Sequence, residues 1–312
     1  MPAGLRVSRA ALHHWEEPPI SGTNGSGAVF FAGCTLRCTY CQNHTISADG
    51  FGKDVTPQRL RAIFEELIAQ GAHNIDLITP THFLPWILPA LEPKLPVPLV
   101  YNCGGYEKVE TLRSLEGLVD IWLPDLKYAD GALASQLSAA PDYFPVATAA
   151  IQEMFRQTGP YVMENGLLRR GVVIRHLVLP GYLDNTRRVI DWVAETFRPG
   201  DVLFSLMSQY TPQPGAQGRL ARRLTRAEYR AAADYMHNCG IIDGFTQERT
   251  AARSTASKTA SFPPILRYGS STYTRYAVVA APRLDARTAR SGDWCGVSSA
   301  HASLPLSPPR AA

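Results

Sequence analysis

The chain has 312 residues, and 45% of them are hydrophobic, which is enough for one large core. Its formal charge of +4 comes from the C-terminal end, because the first 249 residues carry 23 Lys and Arg against 25 Asp and Glu. That balance predicts no nucleic-acid partner. No apolar run approaches the roughly 20 residues of a membrane span. The first residues lack the apolar region of a signal peptide. We therefore expect no membrane partner and a cytoplasmic location.

Short apolar runs alternate with longer amphipathic stretches between residues 28 and 246. The predicted strands are 28–32, 74–78, 98–101, 120–123, 172–178 and 202–206, and 241–245 could add one more. The predicted helices are 56–70, 83–91, 109–115, two within 131–159, 186–197 and 225–239. Apolar strands separated by helices indicate a parallel sheet covered on both faces. About six β/α units are too few for a closed eight-stranded barrel, so the predicted fold is α/β, a partial, open barrel of about six parallel strands.

The predicted core lies between two other parts of the chain. Residues 1–27 form a lead-in segment, 28–249 the core domain and 250–312 a tail. The tail is rich in Ala, Ser, Thr, Arg and Pro and contains no Glu, a composition typical of low-complexity or weakly structured chain. A strand within 273–281 is the only pairing that we expect there.

Three cysteines, Cys34, Cys38 and Cys41, fall within eight residues, directly after the first predicted strand. Three thiolates at this spacing can hold three irons of a 4Fe–4S cluster and leave the fourth iron without a protein ligand. An open iron can bind a second molecule, so the pattern indicates an enzyme rather than an electron carrier.

Other uses of these cysteines are weaker. A structural zinc site normally has four ligands, and His44 could complete a Cys3His set only from the same loop. Disulfides are disfavoured, because we expect a reducing compartment. An electron-transfer or redox-sensing cluster would need a fourth protein ligand, for which Cys103 is the candidate.

Polar residues follow the predicted strands where parallel strands place their carboxyl ends on one rim, the usual position of active sites in β/α barrels. Arg175 and His176 are neighbours in one strand, so only one of them can face that rim. The candidates in chain order are Thr79, Thr81, His82, Asn102, Gly104, Gly105, Asp125, Lys127, Arg175, His176, Ser208, Gln209 and Tyr210.

The cysteine motif, with an aromatic residue before its last cysteine, resembles that of the radical S-adenosylmethionine (SAM) superfamily. More of the chain resembles the pyruvate formate-lyase activating enzymes, and in particular an uncharacterised, activase-like branch of that group. The matching pieces are residues 13–34 (HHWEEPPISGTNGSGAVFFAGC), 41–43 (CQN), 78–83 (ITPTHF), 101–106 (YNCGGY), 125–127 (DLK), 172–181 (VVIRHLVLPG) and 205–212 (SLMSQYTP).

The resemblance implies two cofactors, a 4Fe–4S cluster on the three cysteines and SAM on its open iron. One electron then cleaves SAM to methionine and a 5′-deoxyadenosyl radical, which takes a hydrogen atom from a substrate. By the same analogy the electron donor is a flavodoxin or ferredoxin, and the substrate could be a glycyl-radical protein. Asp125 and Lys127 match residues that contact SAM. Gly104 and Gly105 would let SAM approach the backbone, and Asn102 and His176 complete the implied cofactor-binding set.

One departure from the activases concerns the second strand end. Activases usually carry GGE where the methionyl amine is held, whereas this chain has Thr79, Thr81 and His82 around Pro80. Hydroxyl and imidazole groups can still accept an ammonium proton, so replacement is plausible. A non-catalytic relative that only binds SAM or a partner stays an alternative. The residues His13, His14, Glu16 and Glu17 of the lead-in segment are expected to serve packing across the barrel.

Overall fold

The computed structural model describes residues 4–247 and the backbone of 273–274. The predicted weakly structured tail lies outside the described residues, apart from that last pair. The strands are β1 Arg6–His13, β2 Ser26–Phe31, β3 Lys53–Asp54, β4 Ile75–Ile78, β5 Leu99–Cys103, β6 Ile121–Pro124, β7 Val162–Glu164, β8 Leu167–Leu177, β9 Leu203–Met207, β10 Gly244–Gln247 and β11 Tyr273–Thr274.

Helices cover most of the segments between these strands. They are α1 Pro18–Ser21, α2 His44–Ser47, α3 Pro57–Ala69, α4 Leu84–Ile87, α5 Val109–Arg113, α6 Gly131–Ser138, α7 Tyr143–Thr158, α8 Leu183–Thr196 and α9 Arg226–Asn238. The residues Thr81–Phe83, Leu88–Leu91 and Gly218–Ala221 form 3₁₀ turns.

Two of the predicted helix starts are confirmed. The side chain of Thr56 accepts a hydrogen bond from the backbone N–H of Arg59 at the start of α3. Thr225 and Glu228 form a reciprocal capping box at the start of α9. Such caps satisfy backbone donors that the first helical turn leaves unpaired.

The sheet confirms the predicted open barrel. Its strand order is β11-β10-β9-β8-β6-β5-β4-β2-β1-β3, with β7 beside β8. Seven consecutive strands of this order, from β10 to β2, are parallel to one another. The prediction was about six, and β10 is the additional one. Among the described strands the two ends of the order do not pair with each other, so the barrel is not closed.

The lead-in segment contributes a strand that the apolar pattern does not predict. β1 pairs antiparallel with β2 along six residue pairs, and β3 pairs with the start of β1. The short helix α1 then packs against β8. The segment therefore extends the sheet beyond β2 and then reaches β8 through α1.

Two apolar clusters lie on opposite faces of the sheet, because neighbouring residues of one strand belong to different clusters. The larger cluster contains Tyr101 and Trp122, together with the apolar faces of the helices. The smaller one contains Val100 and Ile121, and its cover is Ile20 of α1. The smaller cluster therefore marks the concave interior of the partial barrel, and α1 fills part of it.

Candidate active site

The cysteine loop leaves β2 and reaches across to the end of β9. Its start is held by His82, whose Nε2 lies 2.8 Å from the carbonyl oxygen of Ala32. Its far end is held by Gln42, whose amide donates to the carbonyl oxygen of Gln209 at 2.8 Å. Between these points Leu36 is buried. The loop is thereby fixed over the carboxyl ends of the strands.

The three thiols of this loop are unpaired and half-buried. Ser138 donates to Cys38 Sγ at 3.0 Å, and Ser47 Oγ lies 3.3 Å from Cys41 Sγ. Burial raises the pKa of Cys38, although the nearby Lys127 ammonium works in the opposite direction. Hydroxyl groups beside cluster thiolates are one of the means by which proteins set a cluster's potential.

Tyr40, the aromatic residue of the cysteine motif, belongs to a buried chain of hydroxyl groups. Tyr128 donates to Tyr40 at 2.9 Å and lies 2.6 Å from Ser138, the residue that reaches Cys38. Both rings are buried and meet edge to face. The aromatic position of the motif therefore anchors the loop to α6 and to the segment after β6.

The donor set fits an iron–sulfur cluster. Among the described residues, no three His, Cys, Asp or Glu side chains converge closely enough to hold one metal ion. A cubane differs from a single ion because each thiolate binds a different iron, so its ligands need not converge on one point. Three half-exposed thiols on one short loop, with hydroxyl donors beside two of them, suit that arrangement.

Beside the loop, Arg175 is at the centre of a buried ion network. Its Nε donates to Asp125 Oδ1 at 2.9 Å, and its two Nη atoms reach Glu16 Oε2 at 3.3 Å and Asn102 Oδ1 at 2.6 Å. The side chain is only 14% exposed. Asn102 in turn donates to Asp76 Oδ2 at 3.4 Å. Arg175 thus ties β5, β6, β8 and the lead-in segment together on the concave face.

The predicted pair Asp125 and Lys127 forms an ion pair, with Lys127 Nζ 2.5 Å from Asp125 Oδ2. Burial opposes ionisation of Asp125, yet Arg175 and Lys127 hold its pKa below the usual value. Burial likewise works against the Lys127 ammonium, and Asp125 nevertheless raises its pKa well above the ordinary range. Both oxygens of Asp125 therefore have cationic partners within the protein. Contact of Asp125 or Lys127 with SAM stays a prediction.

The acidic residues Glu16, Glu17 and Asp76 are part of the interior, although charged residues are seldom buried. Glu17 is 2% exposed, and burial raises its pKa to about 7. Asp76 is fully buried, and burial raises its pKa well above the usual value. Glu17 Oε2 and Asp76 Oδ1 have no hydrogen-bond partner among the described residues. The lead-in segment packs across the barrel as expected, and its two glutamate side chains are largely buried.

At the second strand end the residues that replace GGE have partners within the protein. Thr79 has a left-handed backbone, with φ of 56°, directly after β4. Thr81 donates to Glu107 Oε1 at 2.8 Å and accepts from the Tyr101 hydroxyl at 2.9 Å. Burial raises the pKa of Glu107 to about 7. Contact of Thr79, Thr81 or His82 with SAM stays a prediction.

The two glycines after β5 have a packing explanation. A Cβ on Gly105, whose φ is 79°, would lie 2.0 Å from the carbonyl oxygen of Asp125. A Cβ on Gly104 would lie 2.7 Å from Leu36 of the cysteine loop. Close approach of neighbouring backbone therefore requires glycine at 105, whatever ligand binds nearby. The Asn102 amide is engaged with Arg175 and Asp76.

His176 faces the opposite side of β8 from Arg175. It is 1% exposed, its Nδ1 lies 2.6 Å from the carbonyl oxygen of Leu126, and its Nε2 lies 3.0 Å from Thr186 Oγ1. Burial lowers its pKa to about 4. Both ring nitrogens are occupied within the core, so the expected cofactor role of His176 has no support here. Arg175 is the residue of this pair that faces the rim.

Cys103 and His44, the alternative metal ligands, lie in very different surroundings. Cys103 is 2% exposed among core residues, and burial raises its pKa well above the usual value, which disfavours the thiolate that a cluster needs. His44 is largely exposed at the start of α2 and lies 3.5 Å from Asp49. Neither Cys103 nor His44 is therefore well placed to be a fourth protein ligand of the cluster.

Within the described part of the chain, no helix is both long and apolar enough to cross a membrane.

Comparison with known proteins agrees with this site. Residues 21–79, which include all three cysteines, match the family model of a 4Fe-4S single cluster domain. The uncharacterized protein MJ0674 of Methanocaldococcus jannaschii is 29% identical over 224 residues, which are 67% of this chain and 61% of that protein. The chain therefore spans about three fifths of the curated relative that it matches. The cluster-domain match supports the predicted 4Fe–4S cluster on the cysteine loop.

The solved structures to which this chain is similar include two of SuiB from Streptococcus suis. Its complex with S-adenosylmethionine has a TM-score of 0.49 and 14% identity over 69% of this chain and 48% of that one. Its complex with the precursor peptide SuiA has a TM-score of 0.49 and 15% identity, over 69% and 46%. A domain of a pyruvate-formate lyase-activating enzyme from Bacteroides vulgatus has a TM-score of 0.36 and 14% identity, over 62% and 91%.

Proposed function

We propose that this protein is a radical SAM enzyme that binds a 4Fe–4S cluster through Cys34, Cys38 and Cys41. The observation that carries the proposal is the match of residues 21–79 to a single-cluster 4Fe–4S domain, with a three-cysteine loop held over the carboxyl ends of an open parallel sheet. When bound, the cluster and SAM supply reductive cleavage of the sulfonium and a radical that removes a hydrogen atom.

The chain's own residues bind and shield these groups. The cysteine loop is fixed at both ends by His82 and Gln42, so the thiols are held in place before any cofactor arrives. Lys127 keeps its positive charge beside Cys38 and can offset the negative charge of a thiolate-bound cluster. Burial around Tyr40 and Leu36 limits access of water to one side of the loop.

Arg175 and its partners keep the strand ends in a fixed arrangement beneath the loop. The guanidinium bonds to groups from three different parts of the chain, so it resists reorganisation when a ligand binds.

The finer proposal is that the substrate is a glycyl-radical protein, which the radical would activate. Its support is the activase-like sequence pieces, among them the DLK of residues 125–127. The donor of the electron would be a flavodoxin or ferredoxin, by the same resemblance. Both partners are proposals for the whole protein.

Anaerobic reconstitution tests the reaction class. The full chain should take up about four iron and four sulfide, and dithionite with SAM should release 5′-deoxyadenosine. Cys38→Ala should lose the cluster and the product, whereas Cys239→Ala, at the end of α9, should keep both. A fully loaded cluster that neither binds SAM nor cleaves it would reject the proposal.

Cys103→Ser separates this function from that of an electron-transfer protein. With three ligands and an open iron, the variant should keep its iron content and its cluster spectrum. Loss of the cluster from a folded Cys103→Ser protein would favour four-cysteine ligation and contradict the radical SAM assignment.

A further inference from the structure

The sulfur of Cys38 is in contact with the end of α6. Ser138, the last residue of that helix, donates to Cys38 Sγ at 3.0 Å and is only 5% exposed. The bond joins residues 100 positions apart, so tertiary packing and not local sequence produces it. A backbone bond of 2.9 Å from the Thr39 N–H to the Leu137 carbonyl holds the loop on the same helix end. The loop therefore stays in place without the Ser138 hydroxyl.

Ser138 also ends a buried chain of hydroxyl groups. Its Oγ lies 2.6 Å from the Tyr128 hydroxyl, which in turn lies 2.9 Å from the Tyr40 hydroxyl. All three side chains are buried. Burial raises the pKa of both phenols, so each keeps a proton that it can donate. Three hydroxyl protons are thus available for three contacts, the last of which is the contact with Cys38.

The charge of Cys38 decides which way these protons point. A cysteine that binds iron is a thiolate, which can only accept a hydrogen bond. Ser138 must then donate to it, and the 2.6 Å contact requires the Tyr128 hydroxyl to donate to Ser138. With its proton directed at Ser138, Tyr128 accepts from the Tyr40 hydroxyl. Every proton of the chain then points toward the sulfur of Cys38.

We propose that Ser138 sets the reduction potential of the cluster through its hydrogen bond to Cys38, with Tyr128 and Tyr40 as positioning residues that orient and polarise that bond. The inference rests on the proposed function, because it concerns the cluster that the three cysteines would hold. Hydroxyls arranged head to tail strengthen one another's hydrogen bonds, and the low dielectric of a buried site adds to the effect.

The direction of the effect follows from the charge of the cluster. Reduction adds one electron and breaks no bond, and the thiolate sulfurs share the added negative charge. A hydrogen bond to one of these sulfurs is therefore stronger in the reduced state, as for other acceptors that carry charge. Such a bond stabilises the reduced cluster and raises its potential.

The contact at Cys41 offers a matched comparison within the same loop. Ser47 Oγ lies 3.3 Å from Cys41 Sγ, a longer distance than that between Ser138 and Cys38. Among the described residues, no second hydroxyl bonds to Ser47 as Tyr128 does to Ser138. Ser138 should therefore affect the potential more than Ser47 does.

The test measures the midpoint potential of the reconstituted full-length protein, by electron paramagnetic resonance of samples poised at known potentials. At the wild-type midpoint, Ser138→Ala should lower the ratio of reduced to oxidised cluster about tenfold, which is about 59 mV for one electron. Ser138→Thr keeps a hydroxyl and should restore most of that ratio. Tyr128→Phe should lower the ratio about threefold, because the Ser138 bond remains but is no longer polarised. Ser47→Ala should lower it less than Ser138→Ala.

A double variant shows whether Tyr128 acts through Ser138. Ser138→Ala/Tyr128→Phe should have the potential of Ser138→Ala alone, because the effects of residues in one hydrogen-bond network are not additive. Tyr235→Phe is the control for the loss of a phenol hydroxyl, since that hydroxyl donates to Asp191 Oδ1 at 2.7 Å on another part of the chain. Its potential should equal that of the wild type. Additive shifts in the double variant would contradict the positioning role of Tyr128.

The outcomes separate this inference from the proposed function. A wild-type potential in fully loaded Ser138→Ala and Tyr128→Phe would overturn the inference and leave the reaction class intact. A shift in Ser47→Ala as large as that in Ser138→Ala would also overturn it. If Ser138→Ala does not keep its cluster, Tyr128→Phe decides, and an unchanged potential there overturns the inference. A wild-type protein that takes up no cluster would instead count against the proposed function.

Discussion

Arg175 and His176 are adjacent in β8, yet they belong to two different regions of the molecule. Arg175 enters the concave interior and bonds to Asp125, Asn102 and Glu16. His176 enters the layer between sheet and helices, where the core satisfies both its nitrogens. The interior is rich in charged groups, and Glu17 Oε2 and Asp76 Oδ1 have no partner there among the described residues. The outer layer is mainly apolar, although Trp122 Nε1 also lacks a partner among the described residues.

The difference teaches where a ligand can act. A polar group that is already satisfied contributes to stability, and a ligand could bind it only by breaking an existing bond. A buried polar group that lacks a hydrogen-bond partner can bond to a ligand without breaking an existing bond. We therefore expect a ligand to be recognised on the side of Arg175, and His176 to contribute to stability.

Replacing Arg175 with Met should have the largest effect on stability. The change leaves Glu16 and Asp125 buried without their shared cation, and breaking a buried ion network in this way typically costs about 3–5 kcal/mol. Urea denaturation of the apo protein measures the loss. Arg59→Met, which breaks an exposed pair with Glu66, is the control and should cost no more than about 1 kcal/mol. Equal losses in the two variants would show that the interior network is not special.

His176→Leu should destabilise the fold by about 2–3 kcal/mol, because the Leu126 carbonyl and the Thr186 hydroxyl lose their partner. The folded pKa of about 4 lies below the ordinary 6.5, so the unfolded chain binds the extra proton between these values. His176 therefore stabilises less as pH falls, and the gap between wild type and variant should narrow from pH 7 to pH 5. Cluster content and SAM cleavage should be kept. A stable variant without SAM cleavage would place His176 at the site after all.

Glu17→Gln should have the opposite pH dependence. The folded pKa of Glu17 is about 7 against an ordinary 4.5, so the folded protein binds the extra proton between these values. Its buried charge destabilises the protein as pH rises through 7. The variant should match the wild type near pH 5 and exceed it by about 1–3 kcal/mol at pH 8.5. Thermal unfolding across pH measures this, and a variant less stable at high pH would show that the Glu17 carboxylate is needed as an anion.

The smallest effect belongs to a surface feature outside both regions. Thr225→Ala removes the cap of α9 and should cost about 1 kcal/mol, with no change in cluster content. Thr225→Ser keeps the hydroxyl and should restore most of the loss. Urea midpoints of the three proteins decide this, and an unchanged midpoint in Thr225→Ala would mean that the capping box contributes nothing.

Much of the sheet could be predicted because its strands are buried on both faces and read as apolar runs. The hairpin of β7 and β8 was missed although a signal was present. Asn165 and Gly166 both have positive φ, and Asn-Gly between two short runs is a strong hairpin sequence. β1 was not predicted because Arg, Ser and His are among its residues, so its apolar periodicity is weak.

The cysteine loop could be found from spacing alone, since its three ligands are close in sequence. The interior network could not, because its members are far apart along the chain and charged residues are seldom buried. Glu16 and Glu17 resemble ordinary surface residues until Arg175 supplies the reason for their burial. Which of Arg175 and His176 faces the rim also needed the structure, because alternation fixes only that the two differ.

The bond between Glu16 and Arg175 joins residues 159 positions apart, and this has a consequence for biosynthesis. At ribosomal rates the arginine emerges on the order of ten seconds after the glutamate. Until Arg175 has emerged, the Glu16 carboxylate stays hydrated. Ile20 likewise lacks the later strands on which it packs. Glu16 is thus made early but fixed late, and contacts of such long sequence separation slow folding.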